Sequence, residues 1–227
     1  PDIYAVGDAV EVRDRVTGQM GLAALAGPAN RQGRIAADNS LLGAGRVFKG
    51  SLGTSIVRVF NLTAACTGAG EKRLKQSGIE YQVSWTHSYS HATYYPGAER
   101  MSVKLLFTPR NGRVLGAQIV GGGGVDKRID VLATAITAGM TVDDLIDLDL
   151  AYAPPYGSAK DPVNMAGYTA QNILEERVEA IQWDSVESGG AFILDVRTPT
   201  EFAGGSIPGA VNIPLDDLRD SLGRLPR

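Results

Sequence analysis

An apolar run ending in Gly-Asp, Ile3 to Glu11 (IYAVGDAVE), sets a carboxylate, Asp8, directly after a turn-prone glycine, Gly7. Such a glycine permits a tight turn that brings backbone against a bound dinucleotide, and the carboxylate can accept hydrogen bonds from sugar-chain hydroxyls. Downstream, Ala24, Leu25, Ala26 and Gly27 precede Pro28 and an Ala-rich apolar pattern. Proline suits the first turn of a helix and is costly in its interior, so a helix is expected from near Pro28 to about Leu42. Its start offers free N–H groups and the positive end of a dipole, which favour negative charge. A different chemistry is excluded by counting: two histidines and one cysteine do not cluster at ligand spacing, so no metal site is expected. Cys66, in NLTAACTGAG, lacks a partner cysteine for redox exchange and is expected to be a small core residue.

The elements that must position these groups read as follows. Ile3 to Glu11 is expected as a strand and Arg13 to Gln19 as a polar turn. From Gly53 the texture changes to strands over Ser55–Leu62, Glu80–Ser88, Met101–Thr108 and Arg113–Val120, with Asn111-Gly112 marking a tight hairpin. Glu71–Ser77 reads as a short helix. Asp126–Ala138 (DKRIDVLATAITA) has apolar residues at helical spacing and stops at Gly139, and Thr141 starts another short helix with a capping pattern. An acidic, polar stretch over Asn172–Ser188 reads as a linker before a strand at Ala191–Val196.

The 227 residues, 44% hydrophobic and carrying a net charge of −3, suit one or two ordinary globular domains. Scattered Lys and Arg form no basic stripe, which argues against nucleic acid. No apolar run reaches the roughly 20 residues of a membrane span, and a single cysteine suits a reducing compartment, so a cytoplasmic location is expected.

IYAVGDAVE followed by GLAALAGPANRQGRIAADN closely resembles the second flavin-binding segment of the pyridine nucleotide-disulfide oxidoreductases. The resemblance implies that Asp8, after Gly7, contacts the ribitol of FAD, and that Ala24, Leu25 and Ala26 face the pyrimidine edge of the flavin. SHATYYPGAERMSVKLLF at 90–107 and DLAYAPPYGSAKDPVNMAGYTAQN at 149–172 look like the dimerisation domain of the coenzyme A disulfide reductase and NADH oxidase branch, most like the former. In that branch two tyrosines of one subunit reach the disulfide-reducing site of the other. Tyr94 and Tyr152 match best, with Tyr95 close by. A phenol can donate to a developing thiolate while its ring packs against a pantetheine arm. Asn30 and Lys160 match positions resembling substrate contacts, and His91 is a further candidate.

DVRTPTEFAGGSIPGAVNIP at 195–214 resembles the first third of a rhodanese domain, with Asp195, Arg197 and Glu201 as structural partners and Ser206 where a histidine is frequent. The fold implied is α/β and α+β: the end of a FAD-binding Rossmann-like domain (1–46), an α+β dimerisation domain (47–175), a linker (176–188) and the start of an α/β rhodanese domain (189–227). The chain thus reads as an internal fragment of a homodimeric flavoprotein. That protein is expected to pass electrons from NAD(P)H through FAD to coenzyme A disulfide, or to coenzyme A persulfide or polysulfide. An NADH oxidase or peroxidase of the same family, and a non-catalytic flavin-binding dimerisation module, are the alternatives. The isolated fragment is expected to be inactive.

Overall fold

A computed structural model describes residues 3–186 and 192–226. The chain divides into two compact units, Pro1–Glu179 and Ala180–Arg227.

The first unit is built on a five-stranded antiparallel sheet. It contains the hairpin β1 (Glu11–Arg13) and β2 (Met20–Leu22), then helix α1 (Ala26–Leu42), β3 (Ser55–Val59), β4 (Leu62–Gly68) and α2 (Glu71–Gln76). There follow β5 (Gln82–Tyr89), β6 (Arg100–Phe107), β7 (Val114–Gly121), α3 (Val125–Ala138), α4 (Val142–Ile146) and α5 (Pro162–Leu174). The sheet order is β3-β4-β7-β6-β5, so β7 bridges two hairpins that are separate in sequence.

Strand alternation decides where the core forms. On β6, Met101, Val103, Leu105 and Phe107 point to one face and meet Val125, Ile129, Leu132 and Ile136 of α3 and Val163, Ala166 and Ala170 of α5. Leu106 points to the other face and packs with Leu74 of α2, Val83 and Leu115. Gly116 lets β7 lie against the turn before α2, since a Cβ there would sit 2.2 Å from the Ala69 carbonyl oxygen. Lys104 pairs with Glu71, tying α2 to the sheet. The Thr141 side chain accepts from the Asp144 N–H and Asp144 accepts from the Thr141 N–H, a complete capping box for α4.

Several expectations need correction. Ile3 to Glu11 is no strand: Val6 is extended but pairs with nothing among the described residues, Gly7–Ala9 forms a single 3₁₀ turn, and regular pairing starts only at Glu11. A strand needs a neighbour to satisfy its backbone groups. The polar turn expected over Arg13–Gln19 is borne out: after Arg13 ends β1 the chain turns back into β2, organised by Asp14, whose Oδ1 accepts from the Val16 and Thr17 N–H groups. Helix α1 begins at Ala26, leaving Pro28 in the third helical position, where its missing N–H would have had no intrahelical partner. The run Ser55–Leu62 breaks at Phe60, whose φ of 53° turns the chain back into β4. Cys66 is exposed: Ala65 and Thr67 take the inward positions of β4, and the Cys66 Sγ lies 3.2 Å from Ser55 Oγ across the β3–β4 pair.

The second unit contains α6 (Trp183–Val186), β8 (Leu194–Asp195), α7 (Pro199–Ala203), β9 (Val211–Asn212) and α8 (Leu215–Leu218), with β8 and β9 parallel. The strand expected at Ala191–Val196 is seen as Leu194–Asp195. Ala191 and the last two residues of the expected linker, Glu187 and Ser188, lie outside the described residues. Arg197 donates to the Asp195 carboxylate at 2.6 Å and to the Gly205 carbonyl at 2.8 Å, and Asn212 donates to the carbonyls of Asp195 and Arg197. Glu201 and Thr198 form the capping box of α7. All three charged residues are therefore structural partners, as the rhodanese resemblance implies.

Candidate functional site

Two irregular segments carry the expected tyrosines. The first leaves the sheet at Ser90, the residue after β5, and returns at Glu99, whose carbonyl accepts from the Ser90 N–H at 2.8 Å. It holds His91, Tyr94 and Tyr95. The second runs from the end of α4 to Asp161, the N-cap of α5, and holds Tyr152 and Lys160. A backbone bond from the Ala92 N–H to the Gly157 carbonyl, 2.8 Å, stitches the two together.

This brings the Tyr94 and Tyr152 hydroxyls to 3.1 Å from each other. Both rings remain open to solvent, Tyr94 at 76% and Tyr152 at 48% exposure. Whichever hydroxyl donates within the pair, the other keeps an O–H for an outside acceptor, polarised by the first bond. The hydrogen bond with Tyr152 holds the Tyr94 phenol above the ordinary tyrosine range, so Tyr94 keeps its proton at neutral pH.

The remaining candidates fall into two groups. His91 stays beside the tyrosine segment: its Nδ1 donates to the Ala92 carbonyl at 3.1 Å, and its ring meets the edge of Tyr95 at 5.7 Å between centroids. Lys160 is exposed at the far end of the second segment. Asn30, in contrast, sits on α1, where its side-chain amide donates to the Ala26 carbonyl at 2.8 Å, and no described contact joins it to the tyrosines.

Gly7 and Asp8 adjoin α1. The Gly7 N–H, in a left-handed conformation with φ 72°, donates to Gln32 Oε1 at 2.6 Å, and Asp8 is exposed. The start of α1 has no side-chain cap, so Ala26 and Gly27 present N–H groups to whatever lies beyond them. They open on a cleft of about 1040 Å³ that Arg15, Leu25, Pro28, Arg31 and Lys49 also line. An uncapped helix start among three cations favours an anionic or electron-rich group.

Two residues escaped the sequence reading. Arg128 and Asp161, both only 2% exposed, form a buried ion pair behind the tyrosine segments. One signal was present: Val125, Arg128, Ile129, Leu132 and Ile136 share the inward stripe of α3, and an arginine in that stripe demands a buried acceptor.

The fold and this site define a class. Residues 54–163 match the pyridine nucleotide-disulphide oxidoreductase dimerisation domain, and residues 174–227 match the rhodanese-like domain. Among solved structures, reduced CoADR-RHD of Bacillus anthracis matches at 52% identity with TM-score 0.92, covering 99% of this chain and 41% of that one. A NAD-dependent persulfide reductase from A. fulgidus matches at 42% identity with TM-score 0.91, covering 99% of this chain and 41% of its own. Coenzyme A disulfide reductase of Staphylococcus haemolyticus is 39% identical over 173 residues, which are 76% of this chain and 39% of that protein. The chain thus spans about two fifths of the length of these relatives.

Proposed function

We propose that this chain is the dimerisation and rhodanese-bearing portion of an FAD-dependent NAD(P)H reductase acting on coenzyme A disulfide or coenzyme A persulfide. The observation that carries the reading is the exposed Tyr94–Tyr152 hydroxyl pair, 3.1 Å apart on two segments that share a backbone bond. Reduction of a disulfide breaks one sulfur–sulfur bond, takes two electrons and one proton from NAD(P)H and a further proton from solvent, and yields two thiols. With a persulfide the products are one thiol and sulfide. Each cleavage expels a thiolate, and the outward O–H of the pair supplies a donor to it where it forms. The rings, flat and apolar on their faces, suit the pantetheine arm, and Lys160 suits a phosphate. His91 buttresses Tyr95 on the same loop.

FAD, when bound, relays the electron pair between nicotinamide and sulfur. Asp8 would hold its ribitol hydroxyls, with Gly7 setting the turn. The uncapped start of α1 would face the flavin ring through Ala24, Leu25 and Ala26, and the cleft beside them has the donors such a ring needs. Asn30, one turn further along α1, is assigned to substrate.

A homodimer fits the match to a dimerisation domain. It also fits the β3–β4 hairpin, where Ile56, Val57, Val59 and Leu62 are exposed and Phe60, 92% exposed, stands at the tip in a strained left-handed conformation. The fused rhodanese-like part supports sulfur delivered as a persulfide. The test is anaerobic NAD(P)H oxidation by the full-length protein with coenzyme A disulfide and coenzyme A persulfide side by side, scoring sulfide release. Turnover on either acceptor is the expected result. No turnover on both, with brisk oxygen consumption instead, would make the protein an oxidase.

A further inference from the structure

We propose that Arg128 is a positioning residue: its buried guanidinium ties the segment carrying Tyr94 to the segment carrying Tyr152 and thereby sets the distance between their hydroxyls. The inference rests on the reading that this pair serves the substrate.

One nitrogen joins the two segments. Arg128 Nη2 donates to the Ser90 carbonyl and to Asp161 Oδ2, each at 2.8 Å. Ser90 is where the Tyr94 segment leaves the sheet, and Asp161 is where the Tyr152 segment enters α5. The other two nitrogens fix the guanidinium itself: Nε lies 3.2 and 3.3 Å from the two Asp161 oxygens, and Nη1 donates to the Gly124 carbonyl at 3.2 Å. Asp161 is held in turn by the Val163 N–H, which donates to its Oδ1 at 3.1 Å. The Ala92–Gly157 backbone bond then lies between these anchors and the tyrosines.

Lysine cannot replace this arrangement, because a single ammonium does not present donors in three fixed in-plane directions. Burial matters as well. At 2% exposure neither partner can exchange its bonds for water, so the clamp has one geometry. The tyrosine bond it serves is exposed and would otherwise compete with solvent. A displacement of about 1 Å at either hydroxyl takes a 3.1 Å bond out of hydrogen-bonding range and misplaces the donor for the leaving sulfur.

The test uses the full-length, flavin-loaded protein carrying Arg128→Lys or, separately, Asp161→Asn. The second change keeps an oxygen to cap α5 and keeps side-chain size, while removing the charge opposite Arg128. The first readout needs no turnover: ultraviolet titration of each protein against its Tyr94→Phe counterpart reports the ionisation of Tyr94. It should lie above the ordinary value of about 10 in the parent and fall back towards it in both folded variants. The second readout is kinetic. With coenzyme A disulfide, kcat should drop roughly tenfold with KM within about twofold, and adding Tyr94→Phe to Arg128→Lys should cost no more than Tyr94→Phe alone. A folded variant that keeps the raised Tyr94 titration overturns the proposal, as do losses that simply multiply. Collapse of both variants assigns the pair to stability alone and overturns it too. If Tyr94→Phe leaves turnover of the parent unchanged, the substrate reading fails, while the titration still decides whether Arg128 sets the pair.

Discussion

A phenol pair is a proton-holding device before it is a catalyst. The hydrogen bond shared with Tyr152 raises Tyr94 above the ordinary tyrosine range, so the protonated form is the favoured one and is lost only as pH rises through that raised value. The alkaline limb of kcat should accordingly lie above pH ~10 in the parent, and Tyr152→Phe should move it down towards the ordinary tyrosine value, measured as a pH profile of NAD(P)H oxidation. Asp195 shows the opposite sign. The hydrogen bonds from Arg197 hold its carboxyl below the usual range, so its contribution is present above the unfolded value and fades as pH falls through the lowered one.

At this scale the sequence was informative only where a motif surrounded the residue. Nothing in composition or spacing pairs Tyr94 with Tyr152, 58 residues apart, and their juxtaposition came from the resemblance alone. Arg128 was overlooked because the apolar stripe of α3 satisfied a helix assignment without it. Cys66 was misread because a lone cysteine among small residues looks like core until strand register shows which neighbours point inward.

Elements were easier to read, for reasons that differ between them. α3 and the β6–β7 hairpin carry strong periodicity and explicit stops, Gly139 and Asn111-Gly112, and both lie within a residue or two of expectation. β4 was missed because LTAACTG has a single large apolar residue, Leu62, and no clear alternation, and it exists through pairing with β3 and β7. Where β4 pairs with β7, Gly68 and Gly116 face each other and each lies against backbone. Gly116→Ala should therefore destabilise the first unit by roughly 3 kcal/mol, because the added methyl meets the Ala69 carbonyl, a backbone atom that cannot yield cheaply. Thr141→Ala should cost about 1 kcal/mol through loss of the α4 capping box. Denaturant midpoints at constant slope check both, and a neutral Gly116→Ala would mean that β7 and the turn before α2 separate without cost.

For the whole molecule, two domain types joined in one chain carry the functional reading further than either alone. Under the proposed function, the match to a dimerisation domain fits the exposed apolar side chains along β3 and β4, and the match to a rhodanese-like domain fits sulfur acceptors. The full-length protein should sediment as a dimer at micromolar concentration, and a monomeric species with full activity would contradict a site that draws tyrosines from the neighbouring subunit. Among the described residues no helix is long and apolar enough to cross a membrane. The central claim is that Tyr94 and Tyr152 serve the cleavage of a sulfur–sulfur bond. Its most direct test is the anaerobic rate of NAD(P)H oxidation with coenzyme A disulfide, comparing the full-length protein with its Tyr94→Phe/Tyr152→Phe variant. A loss in kcat of roughly 100-fold with flavin content and dimerisation intact is the predicted result. An unchanged rate in the double variant would contradict it.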